Sequence, residues 1–250
     1  MAFDYDGTLA PIVSNPREAV PGPGVVEALG SLSRHVALVA VVTGRPAQVA
    51  VDLADFAHAS GLEDLVVVGH YGMERWDARS GSLHTVDPPP GVAEARQALP
   101  GLLAGLGLQD ADIEDKGLSV AVHVRRLTAP DSAFEQMVGP LTELAERTGL
   151  AAEPGRQVVE LRPSGMDKGQ ALRTLVEETS PSSVTFFGDD LGDLAAFAEV
   201  GRLRDEGIAG LLVCSGSDEV TALSDAADLV VDGPAGVSAL VLAIVESLAP

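Results

Sequence analysis

Asp4 and Asp6 stand two residues apart in the run Asp4-Tyr5-Asp6-Gly7-Thr8, directly after a short apolar stretch. In an extended chain that spacing points both carboxylates to one side, and Gly7 permits an immediate turn. In an open α/β sheet the carboxyl ends of the strands form the ligand crevice. There, one acid could attack phosphorus as a nucleophile. The other could protonate a leaving oxygen and afterwards activate water. Taken alone, the pair also fits a plain metal-binding pair, or a strand end closed by turn-forming acids.

Three further runs have the same character. In Val42-Thr43-Gly44-Arg45 an apolar strand ends in a hydroxyl that could donate to a phosphoryl oxygen, and Gly44 lets a backbone N–H come close. Thr before Gly is also ordinary turn chemistry. Lys168, in Gly165-Met166-Asp167-Lys168-Gly169, opens a predicted helix, where it could hold a nucleophilic aspartate and a phosphate together. A solvated surface lysine is the bland alternative. In Gly188-Asp189-Asp190-Leu191-Gly192-Asp193 a third apolar strand ends in acids. Magnesium takes oxygen ligands from few carboxylates. Asp189 is the natural partner of Asp4, with Asp190 and Asp193 in reserve, while Asp190 also fits a helix N-cap.

The elements that must carry these groups follow from the apolar pattern. Strands are predicted at 1–5, 36–42, 65–69, 184–187, 210–213 and 229–231. Most are apolar throughout, as in strands covered on both faces. Helices are predicted at 25–34, 46–55, 168–179, 191–199 and 237–248. The alternation implies an α/β fold with a doubly wound, parallel, Rossmann-like sheet. The middle reads differently. Strands at 82–86, 111–115, 118–124 and 157–161 surround helices at 92–106 and 131–148, with a hairpin turn at 114–117. This is a smaller α+β domain, residues 75–161, inserted into a core made of 1–74 and 162–250.

Charge adds a constraint. The 250 residues carry a net charge of −21 with only 16 Lys and Arg. Such a chain repels nucleic acid and anionic membranes. It would also repel a phosphorylated small molecule unless a metal ion or a few placed cations neutralise the site. Apolar runs such as 36–42 fall far short of the ~20 residues that span a bilayer, and no secretory signal is visible. Cys214 is the single cysteine, so no internal disulfide forms. A cytoplasmic monomer is the default expectation.

In this order, the four runs resemble the motifs of the haloacid dehalogenase superfamily of phosphotransferases, whose type-2 caps lie where residues 75–161 are inserted. More narrowly, DYDGTLAPI, VVTGRP, DKGLSVAVHVR, VVELRPSGMDKGQAL and GDDLGD resemble the trehalose-6-phosphate phosphatase family. The resemblance implies a Mg²⁺-dependent phosphatase acting on a small sugar phosphate through an aspartyl-phosphate. Asp4 would be the nucleophile, and Asp6 the acid/base that also gives a backbone carbonyl to the metal. Thr43 and Lys168 would hold the phosphoryl group, with Gly44 and Arg45 beside it. Asp189, Asp190 and Asp193 would complete the metal site. Glu114, Lys116, Arg125 and Glu160 match positions that contact sugar hydroxyls, flanked by His123 and Arg162. Strand alternation independently pairs Glu114 with Lys116, and His123 with Arg125. A solvated hairpin of mixed charge fits those residues as well.

Other readings stay open: a capped phosphatase for sucrose phosphate, a glycosyl phosphoglycerate or a hexose phosphate; a silent sugar-phosphate-binding scaffold associated with a trehalose-phosphate synthase; a phosphoaspartate receiver. Three departures stand out. Only three residues precede Asp4, Tyr71 in Gly69-His70-Tyr71-Gly72-Met73-Glu74 replaces the family's usual His, and Gly192 replaces a Thr.

Overall fold

The computed structural model describes residues 1–13, 15–216 and 221–248. The chain opens with β1 (Ala2–Phe3), α1 (Val25–Leu32), β2 (Ala40–Val42), α2 (Ala47–Ala54), β3 (Val66–Gly69), β4 (Glu74–Asp77) and β5 (Ser82–Thr85). It continues through α3 (Pro90–Gly105), β6 (Asp112–Asp115), β7 (Val120–His123), α4 (Pro130–Arg147), β8 (Leu150–Gly155) and β9 (Val158–Pro163). It closes with α5 (Lys168–Thr179), β10 (Ser183–Gly188), α6 (Leu194–Asp205), β11 (Ala209–Gly216), α7 (Thr221–Ala226), β12 (Leu229–Asp232) and α8 (Gly233–Leu248). Among the described residues, no helix is long and apolar enough to cross a membrane.

One sheet has eight strands in the order β12-β11-β10-β1-β2-β3-β4-β5. From β12 to β3 every pairing is parallel. These strands are apolar on both faces because both faces are covered. Phe3, Val41, Val67, Phe187 and Val213 pack under α1, α2 and α8. Ala2, Val42, Val66, Phe186 and Leu212 pack under α5, α6 and α7. This is the doubly wound α/β sheet that the alternation implies. The strand order reverses beside β1, the place where open α/β sheets bind ligands at the carboxyl ends of their strands.

β1 is short, two residues long. It is held between two neighbours, with Ala2 paired to both Phe186 and Ala40. Phe3 stacks on Phe187 at a centroid distance of 4.4 Å. Such a pair adds about 0.5–1.5 kcal/mol beyond area burial. The ladder runs one residue further, since the Asp4 N–H donates to the Phe187 carbonyl at 2.8 Å.

The chain forms two compact units, Met1–Thr85 with Met166–Pro250, and Val86–Gly165. Residues 75–85, which the sequence reading assigns to the insert, join the large sheet instead. β4 pairs antiparallel to β3, and β5 to β4, with Trp76 buried in the core. Charged residues at every position of β4 but Trp76 disguise it as part of a polar domain. The smaller unit holds an antiparallel sheet in the order β6-β7-β9-β8. Val120, Val122, Val159 and Leu161 face α3 and α4, burying a core of their own. The hairpin turn between β6 and β7 falls after Asp115, where Gly117 takes φ +84° and the Lys116 N–H donates to the Ser119 carbonyl at 3.1 Å.

Candidate active site

Each acid of the core motifs leaves the end of a parallel strand. Asp4 follows β1, and Asp189 follows β10. Lys168 opens α5 behind Asp167, whose carboxylate caps the helix by accepting from the Gln170 N–H at 2.9 Å. These placements converge. Lys168 Nζ lies 2.7 Å from Asp4 Oδ1 and 2.7 Å from Asp193 Oδ1. Asp193 Oδ2 accepts from the backbone N–H groups of Asp189 and Asp190 at 2.9 and 3.3 Å. Oxygens of Asp4, Asp189 and Asp193 all lie within 4.8 Å of one another, and all three residues are buried.

Small residues make room for this. Gly7 takes φ +73°, and a Cβ there would stand 1.9 Å from Asp189 Oδ2. A Cβ on Gly188 would meet Asp193 Cγ at 2.5 Å. Ser215 at the end of β11 donates its hydroxyl to the Gly7 carbonyl at 2.7 Å, fixing the turn from across the sheet.

The electrostatics are strained. Burial pushes the Asp4 carboxyl well above its usual range; Lys168 opposes this, and Asp193 and Asp189 reinforce it. Burial, with Asp190 and Asp193, lifts Asp189 to about 8. Asp193 is raised by burial too. Desolvation pulls Lys168 downward, but Asp193 and Asp4 more than reverse it, leaving the ammonium held well above its ordinary value. Three carboxylates thus share one ammonium in a buried site. Asp189 Oδ1 is buried without a hydrogen-bond partner. A hard divalent cation meets both conditions: it takes carboxylate oxygens and inverts the local charge. Asp4, Asp189 and Asp193 fit Mg²⁺ on that ground.

Asp190 does not join them. It is exposed, and its carboxylate accepts from the Gly192 N–H at 2.8 Å, capping the turn of residues 191–193. The side chain of Asp6 also stands apart. Arg45 grips both its oxygens, Nε to Oδ2 at 2.6 Å and Nη2 to Oδ1 at 2.6 Å. Arg45 in turn donates to the Pro16 carbonyl at 2.8 Å and lies over the Tyr5 ring at 5.5 Å. Thr43 is buried just past the end of β2, and its Oγ1 accepts from the Arg45 N–H at 3.1 Å.

Within the smaller unit, the sheet face turned away from α3 and α4 carries a set of polar pairs. Glu160 is buried and takes two donors, Lys116 Nζ at 2.8 Å and Ser119 Oγ at 2.5 Å. His123 Nε2 lies 2.9 Å from Glu114 Oε2. Arg162 reaches Glu153 at 3.0 Å. The register explains the grouping, since Ala121 is opposite both Glu114 and Glu160, and Glu153 is opposite Glu160. Arg125 is the exception. β7 ends at His123, so strand alternation does not carry on to Arg125, which is exposed in the following turn.

The sequence profile described as Trehalose-phosphatase matches residues 2–228. The chain belongs to the trehalose-phosphatase family. It is 34% identical over 252 residues to a trehalose-phosphate phosphatase of Mycobacterium leprae, covering 94% of this chain and 55% of that protein. It is 35% identical over 210 residues to an uncharacterized glycosyl hydrolase of Mycobacterium tuberculosis, covering 79% of this chain and 15% of that one. The chain therefore spans about half the length of the first relative and far less of the second. The fold is similar to that of the Candida albicans trehalose-6-phosphate phosphatase C-terminal domain, with a TM-score of 0.78 at 19% identity, covering 99% of this chain and 91% of that one.

In this family member, the sequence motifs find Asp4, Lys168, Asp189 and Asp193 together, and Glu114, His123, Glu160 and Arg162 on one sheet face, with Lys116 reaching Glu160 from the β6–β7 turn. They miss Ser119, Ser215 and Glu74. Glu74 Oε2 accepts from the Ala47 N–H at 2.7 Å, at the first turn of α2. The Gly69–Glu74 run was the only signal for it.

Proposed function

We propose that this chain hydrolyses the phosphomonoester of trehalose 6-phosphate, releasing trehalose and inorganic phosphate, as a step of trehalose biosynthesis. Family membership supports the substrate. One observation carries the chemistry: Asp4, Asp189 and Asp193 meet around Lys168 at the carboxyl rim of the sheet.

Asp4 Oδ attacks phosphorus in line, and the bond from phosphorus to the sugar O6 breaks. Asp6, held by Arg45 in this structure, would act in its protonated form, giving its proton to that oxygen. Its carboxylate then takes a proton from water, whose oxygen attacks the aspartyl-phosphate, and the bond to Asp4 breaks to free phosphate. Thr43 and Lys168 hold the phosphoryl oxygens, and the buried rim excludes bulk water. Asp4, Asp189 and Asp193 would hold Mg²⁺, which when bound supplies positive charge against that developing on the phosphoryl oxygens. Glu114, Lys116, Glu160 and the flanking His123 and Arg162 would bind sugar hydroxyls through charged hydrogen bonds.

Phosphate release from trehalose 6-phosphate with Mg²⁺ tests the reading. Asp4→Asn should lower kcat by at least about 10³-fold. A panel containing sucrose 6-phosphate and glucose 6-phosphate checks the sugar. Full activity on glucose 6-phosphate with none on trehalose 6-phosphate would overturn the substrate assignment.

A further inference from the structure

We propose that Ser215 is a positioning residue of the metal site: its hydroxyl braces the Asp6–Gly7–Thr8 turn against Asp189 and so sets how tightly the chain holds Mg²⁺. The proposal rests on the metal-dependent phosphatase reading above.

β11 carries Ser215 past the end of its neighbour. Gly188, the last residue of β10, pairs with Cys214, and Ser215, one residue on, pairs with Val231 of β12. The buried residues before it in β11 are apolar, Leu212, Val213 and Cys214, and Ser215 is itself 1% exposed. A hydroxyl so far from water costs free energy unless it is bonded. The bond it makes is to the Gly7 carbonyl at 2.7 Å, between residues 208 apart in the chain. β10 lies between β11 and β1 in the sheet. The hydroxyl therefore spans the end of the strand that delivers Asp189.

The internal bonds of the turn do not replace this one. The Gly7 N–H donates to the Ala10 carbonyl at 2.7 Å, and the Leu9 and Ala10 N–H groups both donate to the Tyr5 carbonyl at 2.9 Å. These close the turn on itself. The Thr8 hydroxyl is buried without a hydrogen-bond partner among the described residues, so it adds no tie. Arg45 holds the turn through the side chain of Asp6. Ser215 holds it through the backbone, and the backbone is what Asp189 touches. A Cβ on Gly7 would stand 1.9 Å from Asp189 Oδ2 and 2.2 Å from its Cγ. Asp189 Oδ1 has no hydrogen-bond partner, so packing against Gly7 restrains the carboxylate. Groups that fix the orientation of a metal ligand contribute to metal affinity without touching the metal.

Ser215→Ala removes the hydroxyl, and Ser215→Thr keeps it on a side chain that suits a strand. Each is compared with wild type in three measurements: Tm in chelator, the rise of Tm as Mg²⁺ alone is titrated in, and steady-state turnover of trehalose 6-phosphate. In Ser215→Ala we expect the Mg²⁺ concentration needed for a given rise of Tm to increase about 3–10-fold, the loss of one hydrogen bond. The Mg²⁺ requirement of turnover should increase by the same factor, with KM for trehalose 6-phosphate at saturating Mg²⁺ unchanged. Ser215→Thr should keep the wild-type Mg²⁺ requirement. Wild-type Mg²⁺ affinity in Ser215→Ala overturns the proposal, whatever happens to Tm in chelator. Equal weakening in Ser215→Ala and Ser215→Thr overturns it as well, because the loss then follows packing and not the hydroxyl. Either result leaves the parent reading standing. Wild-type protein whose Tm does not respond to Mg²⁺ overturns both.

Discussion

The ammonium of Lys168 lies 2.7 Å from Asp193 Oδ1, with both side chains almost wholly out of solvent. Asp193 is thereby more than a reserve ligand: one oxygen holds the lysine and the other collects two backbone N–H groups of the β10 exit. Removing one partner of such a pair leaves an uncompensated buried charge, which costs about 3–5 kcal/mol. Lys168→Met should lower the urea midpoint accordingly and abolish turnover. A variant as stable as wild type would mean that the carboxylates are neutralised by other means.

Divalent metal should stabilise the folded chain, because the unfolded chain has no assembled site. A ligand at 100 times its Kd adds about 2.7 kcal/mol. Titrating Mg²⁺ against chelator in a thermal melt should raise Tm in wild type. The shift should be lost in Asp189→Asn, whose buried Oδ1 otherwise has no partner. An equal shift in both proteins would remove Asp189 from the metal site.

Gly7→Ala brings a methyl into the space of Asp189 Oδ2 at a residue with φ +73°. The left-handed backbone alone costs about 1–2 kcal/mol. Displacing Asp189 by about 1 Å should lower kcat near 10²-fold. Melting and steady-state kinetics read the two effects separately.

Ser119 is fully buried beneath Glu160 and donates to it at 2.5 Å. Hydrogen bonds to charged groups contribute about 1.5–3 kcal/mol. Ser119→Ala should therefore raise KM for trehalose 6-phosphate about 10-fold or more, with turnover of p-nitrophenyl phosphate unaffected. Equal losses on the two substrates would argue that Ser119 serves only the fold.

Asp228 accepts from the Leu212 N–H at 2.8 Å and pairs with Arg204. Burial raises its carboxyl, but the Leu212 N–H and Arg204 outweigh this, and the folded value is lowered. A group lowered on folding stabilises above its unfolded value, about 3.9, and that stabilisation is lost as pH falls through the folded value. The difference in urea midpoint between wild type and Asp228→Asn should be largest near neutral pH and shrink toward pH 3, a trend that midpoints at several pH values would check.

The parts of this arrangement legible in the sequence are those in which one residue type is dictated by one strand end. Asp4, Lys168 and Asp189 each follow or precede an apolar run, so their shared rim could be read. Asp190 and Asp193 could not be told apart, because neighbouring acids at a helix entrance differ only in which way the backbone aims them. β4 escaped because its one core side chain, Trp76, sits among charges. The Arg45–Asp6 clamp and the seat of Glu160 on Ser119 are partnerships between distant segments that no local spacing encodes. Arg125 was misplaced by extending alternation past the last paired residue, His123.

The strand that delivers Asp4 is the earliest in the chain, yet its neighbour on one side is β10, where Ala2 meets Phe186. During synthesis the nucleophile must therefore wait, with half of its ladder open, until β10 has emerged. Chemistry competence arrives late and all at once, so nascent chains and fragments ending before β10 should have neither the hydrolytic centre nor a complete sheet to hold it.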